Sequence, residues 1–398
     1  MIPALMPTYN RLPVRFERGE GMYLYDETGK AHLDFYAGIG VNCLGHCHPY
    51  LVSALKDQAE KLWHVANIYE IPGQERMARR LVDLTFADTV FFNNSGAEAI
   101  ETAIKMVRKY HYDKGNAPGH RIITFSSAFH GRTLGGIAAA GQEKLVKGFE
   151  PIPEGFDVVD FCDLDAVKAA ITPETGGIMV EPVQGEGGIR PIPADVLQGL
   201  RKIADENNLL LVFDEIQCGV SRTGKFFAHE WADVKPDIVT IAKGIGGGFP
   251  MGACLATEEA ASGMTGGTHG TTFGGNPLAM AVGNAVLDIV TTDDFLEHSR
   301  AMGAYLHERL HALQHKHDGL VSEVRGLGLM AGIRIPDCPN PRAVLKDMVH
   351  RGLCPAVAGQ NVVRLLPPLI LEKTHVDAAV EIMDTALAHY AQKGWPEG

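Results

Sequence analysis

Short apolar runs punctuate the middle of the chain at 90–93, 121–126, 157–160, 177–181, 209–214 and 237–242, several of them nearly continuous in Val, Ile, Leu and Phe. Runs of this length without polar alternation predict strands covered on both faces. Between them, apolar side chains recur at helical spacing. Ile100, Ala103, Ile104, Val107 and Tyr110 do so within 97–111, and Val196, Leu197, Leu200, Ile203 and Ala204 within 194–206. Strand alternating with helix predicts a doubly wound α/β domain, its mostly parallel sheet flanked by helices. The ends follow another pattern. Residues 12–36 predict short antiparallel strands turning at 27–30, and the C-terminal part predicts a polar amphipathic helix over 292–317, a Gly-rich strand region at 324–335 and a closing helix from about 374. The division expected is a large central domain, 46–290, with a smaller α+β domain built from both termini, 1–45 and 291–398.

Composition narrows the class. A chain of 398 residues accommodates two or three folding units at ~150 residues each. With 45% hydrophobic and 21% charged residues it is globular, not disordered. Lys and Arg number 36 against 48 Asp and Glu, a formal charge of −12 with no basic run, which argues against a nucleic-acid partner. Seven cysteines without a CxxC pair match neither a disulfide framework nor a zinc ribbon. The stretch 278–290 is interrupted by Gly283, Asn284 and Asp288, so no segment approaches the ~20 apolar residues of a membrane span. The first residues carry no base before Arg11 and include Pro3 and Pro7, a poor secretory signal. A cytoplasmic protein with no membrane partner is expected.

Candidate chemistry collects where the apolar runs end. Asn94-Ser95-Gly96-Ala97-Glu98 joins a strand to a helix. Free amides at a helix start favour an anion such as phosphate, and a plain helix cap by Ser95 is the alternative. Asp214 closes the run 209–214, placing a carboxylate at the edge where open α/β sheets bind ligands; a structural salt bridge would use the same residue. Lys243 follows 237–242 and precedes Gly244, Gly246, Gly247 and Gly248. A partly desolvated amine beside backbone that allows close approach suits a nucleophile, whereas a lone lysine at a strand end commonly snorkels. Glu181-Pro182-Val183-Gln184-Gly185-Glu186 and Phe129-His130-Gly131-Arg132 complete five polar clusters at the carboxyl ends of strands. Gly45-His46-Cys47-His48 offers metal-ligand types without zinc spacing, and turn or helix-cap roles before Pro49 fit it better.

The ordered set Ser95-Gly96-Ala97-Glu98, Phe129-His130-Gly131-Arg132, Glu181-Pro182-Val183-Gln184-Gly185-Glu186, Asp214-Glu215-Ile216-Gln217, Lys243 and 271–277 resembles the class III, ornithine-type, aminotransferases from about residue 10 to the C-terminus. The resemblance implies pyridoxal-phosphate fold type I and a homodimer with shared active sites. Lys243 would form the Schiff base with pyridoxal 5'-phosphate and carry the proton, and Asp214 would pair with the pyridine nitrogen. Gln217 would bond the ring hydroxyl and Phe129 would stack on the ring. Ser95, Gly96 and Ala97 would hold the phosphate, joined by Thr272 from the neighbouring subunit. For the substrates, Arg364 would grip an α-carboxylate, Glu186 would act as its switch, and Arg132 would hold the far carboxylate. Ile39, in 38–46, falls where ornithine-specific members carry a tyrosine, and an aliphatic residue there suits an acylated α-nitrogen. The implied reaction is a ping-pong transfer from the terminal amine of N-acetylornithine to 2-oxoglutarate, a step of arginine biosynthesis that yields N-acetylglutamate semialdehyde and glutamate. N-succinylornithine, N-succinyl-diaminopimelate and γ-aminobutyrate are alternative donors, and an aminomutase is the alternative of another class.

Overall fold

The computed structural model describes residues 2–115 and 119–397. Its central sheet has seven strands: β1 (Thr89–Asn93), β2 (Arg121–Phe125), β3 (Phe156–Val159), β4 (Thr175–Val180), β5 (Leu210–Asp214), β6 (Ile238–Ile241) and β7 (Gly252–Ala256). Their order is β1-β7-β6-β5-β4-β2-β3. The first six coincide with the apolar runs. The seventh escapes the hydrophobic pattern because Gly252-Ala253-Cys254-Leu255-Ala256 is built mainly from small residues. It is nonetheless fully buried, and a Cβ on Gly252 would come within 2.6 Å of the Ser95 carbonyl.

β7 is antiparallel to both β6 and β1, so those two strands still run the same way. The pairs β6–β5, β5–β4, β4–β2 and β2–β3 are parallel. The carboxyl ends of β1, β2, β4, β5 and β6 therefore lie along one edge of the sheet, each followed by one of the five polar clusters.

The helices obey the same pattern. In α1 (Gly96–Asp113), Ile100, Ala103, Ile104 and Val107 are buried, and in α2 (Ala194–Glu206), Leu197, Leu200, Ile203 and Ala204 are. The polar helix α3 (Asp293–Lys316) starts with Asp293 and Asp294 and ends with His315 and Lys316, charges that complement the helix dipole. It packs on the closing helix α4 (Lys373–Lys393).

Two smaller sheets accompany the central one, and in the first of them the chain ends meet. Antiparallel strands Phe16–Glu20, Tyr23–Asp26 and Ala31–Asp34 are joined by Leu353–Cys354, parallel to the last of them. Glu323–Leu327, Met330–Arg334, Val362–Leu365 and Ala356–Ala358 form the other. One continuous buried cluster, from Met22 and Phe35 through Phe213 and Val239 to Leu387, ties these sheets to the central one. Among the described residues no helix is long and apolar enough to cross a membrane.

Gly303 sits where α3 crosses the turn between Glu323–Leu327 and Met330–Arg334, and a Cβ there would lie 2.8 Å from the Gly328 Cα, a backbone atom that cannot swing aside. Gly303→Ala is expected to destabilise the protein by about 1–3 kcal/mol, seen as an earlier denaturant midpoint. Gly319→Ala, with no atom within 4 Å of the added carbon, should leave the midpoint in place.

Candidate active site

At the end of β1 the chain turns through Asn94 and Ser95 into α1. Ser95 Oγ accepts from Glu98 N at 3.3 Å, and Glu98 Oε2 accepts from Asn94 N at 2.7 Å, a reciprocal cap that stiffens the turn. Ala99 N is taken by the Ser95 carbonyl. Gly96 and Ala97 are thus the first-turn amides left to meet an anion. Gly131, at φ +106°, lets the loop after β2 pack against this turn, where its Cβ would meet the Ala97 Cα at 3.2 Å.

Asp214 ends β5 almost wholly buried. Its Oδ2 lies 2.8 Å from His130 Nδ1, and its Oδ1 accepts from Ile216 N at 3.1 Å and from Thr240 Oγ1 at 3.5 Å. Burial opposes charging His130, but the hydrogen bond and charge of Asp214, with Glu181 nearby, outweigh it and raise the imidazole pKa. Glu181, after β4, accepts from Phe129 N at 2.9 Å and Gly185 N at 3.1 Å. Burial, followed by the charge of Asp214, pushes its carboxyl up to about 7.

Lys243 follows β6 with φ +50°, a left-handed conformation that costs a side-chain-bearing residue about 1–2 kcal/mol. Burial, and then the positive charge of Arg364, lowers its amine to about 8. Among the described residues its Nζ makes no hydrogen bond or ion pair, which leaves it available for reaction.

Arg364 comes from the other end of the chain, on Val362–Leu365, and is 1% exposed. Its Nη1 donates to Glu186 Oε1 at 2.5 Å and to Gln217 Oε1 at 3.1 Å. Glu186, by contrast, is one-third exposed, so one partner of the pair is held and the other can move. A Cβ on Gly185 would overlap the Gln217 amide, at 2.2 Å from its oxygen.

These residues surround one cavity of about 440 Å³. Ser95, Gly96, Ala97, Phe129 and Arg132 line one part, and Asp214, Gln217 and Lys243 line another. Arg364 and Glu186 adjoin it through Gln217. Ile39 does not line this cavity. It lies in a left-handed stretch at φ +73° between Gly38 and Gly40, while Val41 reaches the wall. Thr272 is exposed and lines a different cavity, with Thr271, Asn67 and His64. His130 and Glu181 stood in the motifs without a role, and their signal was only adjacency to Phe129 and Gln184.

The metal-type cluster resolves otherwise. His46 Nε2 lies 2.7 Å from Asp34 Oδ2, Cys47 is exposed, and His48 precedes the helix Pro49–Ala59. Among the described residues no group of three or more His, Cys, Asp or Glu could hold a metal.

A phosphate-type helix start, a buried acid and a free amine around one cavity, on a doubly wound sheet, are what a pyridoxal-phosphate enzyme of fold type I requires. The profile of the Aminotransferase class-III family matches residues 5–387, so the chain belongs to the class III aminotransferases, which depend on pyridoxal phosphate. It is similar to the acetylornithine aminotransferase of Agrobacterium fabrum (strain C58 / ATCC 33970), 56% identical over 391 residues that cover 98% of this chain and 97% of that one. Among solved structures it is similar to the N-acetylornithine aminotransferase of Stenotrophomonas maltophilia K279a, with TM-score 0.85 and 36% identity over 97% of this chain and 98% of that one. It is also similar to the ornithine aminotransferase of Toxoplasma gondii ME49, with TM-score 0.94 and 28% identity over 98% and 94% of the two chains. The free amides of Gly96 and Ala97 and the amine of Lys243 fit the phosphate and the aldehyde of the cofactor.

With an amine that titrates near 8, reaction with an aldehyde should rise as pH climbs through about 8. Borohydride trapping of pyridoxal phosphate on the apoenzyme, measured at Lys243 by peptide mapping, is expected to follow that curve. A midpoint at the ordinary lysine value of 10.5 would contradict the effect of burial and Arg364.

Proposed function

We propose that this chain transfers the terminal amino group of N-acetylornithine to 2-oxoglutarate, giving N-acetylglutamate semialdehyde and glutamate. The observation that carries this reading is the Arg364–Glu186 pair beside Lys243, a cation whose counter-ion a substrate carboxylate can replace. The names of the relatives agree with it.

Bound in the cavity, pyridoxal phosphate supplies an aldehyde that takes up the amino group and a ring that accepts the electron pair released at the substrate carbon. Lys243 would bond the aldehyde, Asp214 would pair with the ring nitrogen, Gln217 with the ring hydroxyl, and Phe129 would stack on the ring. Ser95, Gly96 and Ala97 would hold the phosphate. Asp214, itself held by His130, Thr240 and the Ile216 amide, would be fixed in place to accept a hydrogen bond from the ring nitrogen. Lys243 Nζ, near its pKa at neutral to mildly alkaline pH, can take a proton from the substrate carbon and return it.

Arg364 grips the α-carboxylate of glutamate or 2-oxoglutarate once Glu186 swings out, and stays paired with Glu186 while the acylated donor is bound. Arg132, exposed at the cavity rim with its guanidinium 5.6 Å from the Phe129 ring centre, holds the far carboxylate. Ile39, exposed and next but one to Val41 of the cavity wall, would face the acyl group of its own or a second subunit's donor only through that neighbour, and an uncharged acyl group needs no ionic partner there.

The working unit in this reading is a homodimer in which Thr272 reaches the phosphate of the other subunit. Exposed Trp63, Ile68, Tyr69 and Phe273 support it, because apolar side chains gathered near one segment favour association. The chain divides into a large domain, 46–290, and a small one from 1–45 and 291–398. Seven cysteines, all free, support a place in the reducing cytoplasm.

The purified protein should show a visible absorbance band that bleaches with N-acetylornithine and returns with 2-oxoglutarate. A band unmoved by N-acetylornithine would reject that donor, and no band after added cofactor would reject the chemistry. Glu186→Ala should raise kcat/KM for glutamate relative to N-acetylornithine by about tenfold to a hundredfold, since a hydrogen bond between charged groups is worth about 1.5–3 kcal/mol. An unchanged ratio in steady-state kinetics would reject the switch.

A further inference from the structure

One helix carries both the phosphate turn and the segment that bears Thr272. Asn94, the first residue of the turn, donates from its backbone and side chain to Glu98, and the same side-chain nitrogen reaches Thr271 Oγ1 at 3.4 Å. That hydroxyl also accepts from Gly274 N at 3.1 Å, closing the bend around Thr272. Farther along α1, Thr102 Oγ1 lies 3.0 Å from His269 Nε2, and Lys105 Nζ lies 2.8 Å from His269 Nδ1 and donates to the Thr268 carbonyl at 3.2 Å. Thr102 Oγ1 in turn donates to the Glu98 carbonyl at 2.9 Å and lies 3.3 Å from Asn93 Oδ1, which leads back to the turn. The bend is also held from outside α1, where Asn67 Nδ2 donates to the Thr271 and Gly274 carbonyls.

The Thr272 side chain makes none of these contacts and lines a cavity apart from the one that holds Lys243. Within one chain, then, a turn that binds phosphate is wired by hydrogen bonds to a threonine that serves a different site. The turn and the bend share these bonds, so a contact that holds either one in place also biases the other.

We propose that the two cofactor sites of the dimer are positively coupled through Asn94, Thr271 and His269, so that filling one phosphate turn presents Thr272 to the other and the second cofactor binds more tightly than the first. This rests on the reading above that Thr272 crosses between subunits. Asn94, Thr271 and His269 are positioning residues in this scheme. The path is reciprocal, as any coupling between binding sites must be.

Titration of the apo-dimer with pyridoxal phosphate, followed by visible absorbance at equilibrium and with sedimentation recorded throughout, tests the proposal. The expected result is a Hill coefficient above one, toward the limit of about two set by two sites, with the second affinity about fivefold or more above the first. Thr271→Val and, separately, His269→Ala should bring the coefficient to one in a dimer that still loads both sites, and Thr271→Ser should restore it. A wild-type dimer with a coefficient of one or less overturns the coupling, as does Thr271→Val with wild-type cooperativity. A chain that binds no cofactor, or sediments as a monomer when loaded, overturns the functional reading and the coupling with it, and the sedimentation record separates the two failures.

Discussion

A carboxylate buried at the end of a central strand cannot stand alone, because an uncompensated charge in the interior costs several kcal/mol. Asp214 meets this constraint by drawing partners from separate parts of the chain: His130 from the loop after β2, Thr240 from β6 and the Ile216 amide from its own turn. The pairing with His130 pins that loop over the sheet edge. Phe129, next in the chain, is fastened by Glu181, and Glu181 also holds Gly185, which leads to Glu186. Glu186 then meets Arg364, and Arg364 meets Gln217, three residues after Asp214. The positions of the stacking ring, the switch and the substrate arginine all trace back to one buried acid.

The lysine illustrates the opposite use of burial. The interior gives Asp214 three partners, but among the described residues it gives Lys243 none and sets it near a second cation, which favours the neutral amine. The residue also holds a strained left-handed conformation at the end of a fully buried strand. Strain of this kind persists where surrounding structure overdetermines it, and it is found at sites whose chemistry needs a particular direction.

Cofactor-side and substrate-side groups are carried by different sheets. Asp214 and Lys243 follow the central sheet, whereas Arg364 belongs to a strand from the C-terminal part that pairs with Met330–Arg334 and Ala356–Ala358. The continuous core from Met22 to Leu387 holds the two sheets in register, so closure of the site is a property of the whole chain.

Much of this was legible in the linear pattern. Six strands, the helices α1 to α4 and the placement of Ser95, Asp214 and Lys243 at strand ends follow from apolar runs and helical spacing, because local periodicity reports which face is covered. β7 was not legible, since small residues make no apolar run. Arg364 and its pairing with Glu186 came only from the resemblance and not from the local pattern: the two are 178 residues apart, and no local spacing encodes that distance. The strained setting of Ile39 and the linkage of Thr271 to the phosphate turn likewise depend on contacts between distant segments. By itself the sequence determined which elements form and which residues end them, because these are set by neighbours along the chain. Only the tertiary structure decided which ends meet, because the strand order and the docking of the C-terminal sheet bring together charges that must be paired when water is excluded.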